Sequence, residues 1–156
     1  MAGAVGGPPG PSDPTPHPDW TLSPTTHKGN GGGITANAAR WACHGTANKP
    51  HSASDANYKP GIAFDAYQDC AGAFITQQIC IKLQERDYYG NYYDRTAYMC
   101  SVWTVNTHVY KSAWVSCSGA AYGTFRTAAY GKADPNGTVV KSSRGTSDSA
   151  TLCQGY

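Results

Sequence analysis

Charge is scarce in this chain: 14% of its 156 residues are Asp, Glu, Lys or Arg, and the formal net charge is +2. No basic stripe is available to neutralise a row of phosphates, so a nucleic-acid partner is not expected. A run of about 18 apolar residues is also missing, so no segment reads as a membrane span. The six cysteines include no C-x-x-C pair, the spacing that structural zinc sites favour. There is no G-x-S-x-G elbow to mark a hydrolase nucleophile. The opening MAGAVGGPPGP has neither a basic nor an apolar leader region, so any secretory signal is expected to have been removed ahead of it.

What the chain does have is an even set of cysteines, Cys43, Cys70, Cys80, Cys100, Cys117 and Cys153. Without metal spacing, an even set reads as disulfides and hence as an oxidising, extracellular location. His44 and His51, with Cys43 and His27 near them, share no ligand spacing, so neither metal nor cofactor is expected. Asp65 and Asp69 offer a carboxylate pair, with Glu85, Asp87 and Asp94 as further acids. Glycoside hydrolysis needs two acids across one sugar, but aspartates at strand ends and turns are ordinary. A small secreted hydrolase is therefore an alternative reading, and a non-enzymatic module the main one.

Seven of the ten prolines lie within the first 24 residues. Proline removes backbone donors and fixes φ, so residues 1–33 read as an extended Pro/Gly-rich arm. Within it Trp20 and Leu22 look like an anchor, able to lie in a partner's groove or to add a strand to a sheet edge. Exchange of that strand between copies would give a filament. Residues 34–61 read as a short alanine-rich helix capped by Thr35 and ended by Gly45, followed by a turn-rich loop. From residue 62 to 156, runs such as IAFDAY, TQQICIKLQ, RTAYMCSVWTV, HVYKSAWVS, TFRTAAY and TVVKS recur between Gly, Asn and Asp. Closely spaced β-rich runs of this kind predict an all-β, antiparallel β-sandwich, immunoglobulin-like in outline. Asp94 to Cys100 has tyrosine-corner spacing, but Cys80 is too close to be the usual inter-sheet partner. Asn136-Gly137-Thr138 fits a glycosylation acceptor, and Asp134-Pro135-Asn136-Gly137 a turn, which is the preferred reading.

DYYGNYYDR (Asp87 to Arg95) places Tyr88, Tyr89, Tyr92 and Tyr93 around Gly90-Asn91. A two-residue turn there pairs Tyr89 with Tyr92, Tyr88 with Tyr93 and Ile81 with Cys100. In that register Cys80 and Cys100 point to opposite faces and cannot bond; a three-residue loop reverses the conclusion. Cys80 would then seek Cys43 or Cys70, and Cys100 would reach Cys117 or Cys153, among the fifteen pairings six cysteines allow. A hairpin tip aromatic on both faces exposes at least one tyrosine pair to solvent or to a partner. That partner is another secreted protein, or a carbohydrate stacked on the tyrosines with Trp103 or Trp114 nearby.

CIKLQERD (Cys80 to Asp87), followed by Cys100, Cys117 and YGTFRTAAYGKAD (Tyr122 to Asp134), resembles small secreted, disulfide-bonded β-sandwich proteins of actinobacteria. The proline-rich arm and cysteine-rich body are similar in outline to the adaptor subunit of actinobacterial umbrella toxin particles. That resemblance implies an adaptor joining other secreted subunits of one complex, and it transfers no residue role.

Overall fold

A computed structural model of the chain describes residues 15–24, 40–73, 76–117 and 123–153. The described residues form two antiparallel sheets and no helix, the expected all-β sandwich. Numbered in chain order, the first sheet holds β1 (Asp19–Leu22), β2 (Trp41–Ala47), β3 (His51–Ser54), β4 (Pro60–Gly72) and β8 (His108–Ser116). The second holds β5 (Thr76–Arg86), β6 (Tyr92–Asp94), β7 (Met99–Cys100), β9 (Gly123–Asp134), β10 (Val140–Lys141), β11 (Gly145–Thr146) and β12 (Ala150–Leu152). No described helix is long and apolar enough to cross a membrane.

The central strand of the first sheet shows why these residues choose a sandwich. Along β4 Ile62, Phe64, Ala66, Gln68 and Cys70 are buried, while Asp65, Tyr67 and Asp69 between them are partly open. Alternation with period two is what a strand with one wet face needs. Opposite it, Ile79, Ile81 and Leu83 on β5 and Phe125 on β9 complete the core. β5 is buried on its outer side as well. There Tyr98, reached by the chain between β6 and β7, meets Lys82 at 4.3 Å and packs edge-on against Tyr130 of β9.

Three expectations are corrected at the N-terminal side. Residues 41–47 form β2, not the end of a helix: Trp41, Cys43, Gly45 and Ala47 face inward and alternate with exposed or half-buried neighbours. Burial of that stripe overrides the helix preference of its alanines; the rest of the predicted helix lies outside the described residues. The expected loop after it contains β3, which pairs with the start of β4. The arm is the third correction, because its Asp19–Leu22 stretch is β1, paired with β2 from Asp19↔Thr46 to Leu22↔Cys43. Trp20 and Leu22 are 3% and 1% exposed, so both anchor residues serve the chain's own sheet and not a partner. Neither residue 33 nor residue 61 separates folding units, since strands from both sides share one sheet.

The disulfides are Cys43–Cys70, Cys80–Cys100 and Cys117–Cys153. The first two join directly opposed residues on neighbouring strands. The expectation that Cys80 and Cys100 point apart is overturned by the turn between their strands. Asp87 N–H donates to Asn91 O (2.7 Å) and Gly90 N–H to Asp87 O (3.1 Å), closing a three-residue loop with Gly90 at φ 88°. Only glycine takes that left-handed position without penalty. The pairs become Arg86↔Tyr92 and Glu85↔Tyr93, and an excursion at 95–98 then brings Cys100 opposite Cys80. That excursion also shortens the expected strand RTAYMCSVWTV to β7 plus a bridge between Gln77 and Thr104. At residues 134–137 the turn reading holds: Gly137 N–H donates to the Asp134 side chain, and Gly137 has φ 97°.

Candidate binding surface at the paired-turn end

Two turns of this fold are built alike. In the 87–91 turn Asp87 Oδ1 accepts from the N–H groups of Tyr89 and Asn91, both at 2.9 Å. In the 55–59 turn between β3 and β4, Asp55 Oδ1 accepts from Asn57 N–H at 2.8 Å and Lys59 N–H at 2.9 Å. The backbone repeats the match: Asp55 N–H donates to Lys59 O and Tyr58 N–H to Asp55 O, both at 3.0 Å. An aspartate at the first position supplies an acceptor for donors the tight loop would otherwise orphan. Gly90 fills the left-handed fourth position of one turn, and Tyr58, at φ 62°, fills it in the other. β4 leaves the 55–59 turn and β5, joined to it by residues 73–75, runs back to the 87–91 turn. Both turns therefore lie at the same end of the sandwich.

That end displays tyrosine. Tyr58 is 89% exposed, Tyr88 79% and Tyr89 70%. Tyr88 and Tyr89 meet edge to face with centroids 5.4 Å apart, and the aspartate-closed loop holds their backbone. The other two predicted tyrosines belong to β6 and are more engaged. Tyr92 lies under the Arg126 guanidinium, 3.9 Å from its ring centroid. Tyr93 is half-exposed, and partial burial together with its hydrogen bond to Glu85 raises its phenol pKa. Trp103 is not brought to this end: it adjoins Thr104, which pairs with Gln77 at the opposite end of β5. Trp114 lies on β8 in the other sheet.

Sequence reasoning passes over Tyr58, although a signal is there. DANYK and DYYGN both open on aspartate and each joins a short strand to a long one, and the likeness shows once both are read as the same three-residue loop.

The acids are dispersed among structural tasks. Asp65 accepts from Asn48 Nδ2 at 2.7 Å and from the Tyr110 hydroxyl at 2.8 Å, while Asp69 faces His108 Nδ1 at 2.6 Å. Glu85 pairs with Arg95 at 3.2 Å and Asp87 closes its turn. Asp94 accepts from Gln84 and from Lys82, which hold its carboxyl below the usual range. Cys43 is bonded to Cys70, and no group of three His, Cys, Asp or Glu side chains is gathered for a metal among the described residues. No family model, curated protein or solved structure matches the chain.

Proposed function

We propose that this protein is a secreted, non-enzymatic binding module that joins other extracellular proteins into an assembly, with the paired-turn end as its recognition surface. The observation that carries the reading is Tyr58. A bulky residue at φ 62° costs roughly 1–2 kcal/mol that glycine avoids, yet its ring is 89% exposed and returns no packing. Backbone strain kept at an exposed position points to a task outside the fold. Three displayed tyrosines on aspartate-closed turns supply rigid contact area with a polar end, which recognition surfaces favour. The three disulfides, typical of extracellular proteins, and the outline resemblance to an adaptor subunit support the same reading. A filament built by strand exchange has less behind it, because the slot a neighbour's strand would enter holds β1.

Two variants test the proposal. Tyr58→Gly is expected to raise stability by about 0.5–1 kcal/mol while weakening partner capture. Urea unfolding and pull-down from the secretome of the source measure the two effects, and a glycine variant that captures as well as the parent removes the argument. Tyr88→Ala combined with Tyr89→Ala should leave stability within about 0.5 kcal/mol, as surface changes do. The same double variant is expected to abolish capture; retained capture would place recognition elsewhere.

A further inference from the structure

The outer face of the first sheet has a composition that solvation does not explain. On its two longest strands the outward positions are 63 to 69 on β4 and 108 to 114 on β8, taken alternately, and none of them carries Lys, Arg or Glu. Four of the eight carry rings: Tyr67, His108, Tyr110 and Trp114. The one lysine of β8, an edge strand, is Lys111, opposite buried Ala66 on the inner parity, so the charge that guards the edge leaves the outward row without a cation.

Two of these rings are laid across the sheet and pinned. Trp114 crosses β4 above Gly61, where any Cβ would collide with the indole, and its N–H donates to Ala53 O of β3 at 2.9 Å. Trp20 uses Gly45 in the same way on the inner face, where core packing accounts for the glycine. Among the described residues Trp114 belongs to neither core cluster. Tyr110, 52% exposed, reaches from β8 to Asp65 on β4 through its hydroxyl, so its ring also leans over the sheet. The hydrogen bond to this carboxylate raises the phenol pKa, so the pin persists to higher pH than an ordinary phenol would allow. The rings are four residues apart on one strand, about 13 Å, a span suited to an oligosaccharide more than to a single sugar.

The polar groups along this row, Asp65 between the pinned rings and Asp69 beyond Tyr110, select the ligand's chemistry. Asp65 is held by the Asn48 amide and the Tyr110 hydroxyl, and Asp69 by His108. No Lys or Arg pairs with either among the described residues. Such carboxylates repel phosphate, sulfate and uronate and accept hydrogen bonds from hydroxyl groups. The second sheet differs, since its outer rings already carry cations, Lys82 on Tyr98, Arg126 on Tyr92 and Lys141 on Tyr130.

We propose that the outer face of the first sheet, from Trp114 to Tyr110 and Asp65, is a binding platform for a neutral glycan chain. The pinned rings stack on the C–H faces of successive sugars, and Asp65 and Asp69 accept from their hydroxyls. The rings are ordered before the ligand arrives, so little side-chain entropy is lost on binding. This inference rests on the reading of the protein as a binding module, but uses none of the tyrosines of the paired turns.

The test is an NMR titration of the full oxidised chain with cellohexaose, chitohexaose, xylohexaose and mannohexaose. At least one is expected to shift the Trp114 indole N–H and the amides of β4 and β8. Tyr110→Ala should weaken that binding at least tenfold. Tyr110→Phe, which keeps the ring and removes the pin, should weaken it severalfold with an unchanged near-UV spectrum, and so covers the case in which the alanine variant misfolds. Tyr88→Ala with Tyr89→Ala should bind the glycan as the parent does. The platform is overturned if no hexasaccharide shifts these signals, if the shifts fall on the paired turns, or if heparin or a lysine-rich peptide binds this face more tightly. Glycan binding without protein capture would sink the assembly reading alone, and capture without glycan binding would sink the platform alone.

Discussion

Trp20→Ala is expected to lower the free energy of unfolding by about 3–5 kcal/mol, the largest single-residue effect expected for this fold. The indole is 3% exposed and sits where Gly45, Gly131 and Gly145 make room, since a Cβ on any of them would run into its ring. Its N–H donates to Gln68 Oε1 at 2.8 Å. Gln68 passes the chain on to Gln77 Oε1 at 2.9 Å, and Gln77 to Asn106 O at 2.7 Å. Both glutamines are fully buried. Alanine at position 20 would leave an indole-sized void that three glycines cannot fill and would orphan a buried amide oxygen. Loss of one partner of a buried hydrogen bond costs about 1–3 kcal/mol, so Trp20→Phe, which keeps most of the volume, should show that portion alone. β1 has four residues, two of them facing the core, and should detach when the larger is removed. Urea unfolding with limited proteolysis between residues 15 and 40 reads both effects. An unchanged midpoint would mean that the stretch around Trp20 is not part of the folded body and would return it to the role of a partner-directed arm.

The body of the sandwich is legible in the sequence because its strands alternate. IAFDAYQDC buries every second residue for most of the length of β4, and no helix period fits it. What escapes the sequence depends on contacts made at a distance. The alanines of β2 suit a helix by local preference, but Gly45 among them makes sense only beneath Trp20, 25 residues earlier. The tyrosine turn falls within the expected DYYGNYYDR stretch, but its loop is residues 88–90 and not Gly90-Asn91, so Tyr88 and Tyr89 are loop residues and pair with neither Tyr93 nor Tyr92. Gly90-Asn91 reads as a two-residue turn until the Asp87 side chain is seen to accept from both Tyr89 and Asn91. The extra loop residue reverses the facing of every partner downstream, and so lets Cys80 and Cys100 meet. Of the predicted site, Tyr88 and Tyr89 are displayed, Tyr92 and Tyr93 are partly used by Arg126 and Glu85, and Trp20 and Leu22 are internal. Tyr58 belongs with the first pair; the likeness of DANYK to DYYGN marks its turn, but not the left-handed conformation, which is disfavoured for tyrosine.

Removal of the Cys117–Cys153 bridge by alanine at both positions is expected to destabilise the protein by about 4 kcal/mol, from the chain-entropy estimate for a loop of this size. The two residues are 36 apart in sequence, the widest of the three separations. The bridge is also unlike the others in position. Cys43–Cys70 and Cys80–Cys100 join strands within one sheet, whereas Cys117 follows β8 of the first sheet and Cys153 follows β12 of the second. Both of its cysteines are buried in the main core cluster, so the double variant loses packing as well as the cross-link. Cys80–Cys100 closes a shorter loop of 20, and its removal by Cys80→Ala with Cys100→Ala should cost about 3 kcal/mol by the same estimate. A domain of this size has about 5–15 kcal/mol in total, so losing all three bridges is enough to unfold it. The reduced chain should therefore show no cooperative thermal transition by circular dichroism, while the oxidised chain shows one. That outcome would tie the folded binding surfaces to an oxidising compartment, since the aspartate-closed turns and the pinned rings depend on strands that the bridges hold in register. A reduced chain that still melts within a few degrees of the oxidised one would separate fold from redox state and remove the main support for an extracellular role.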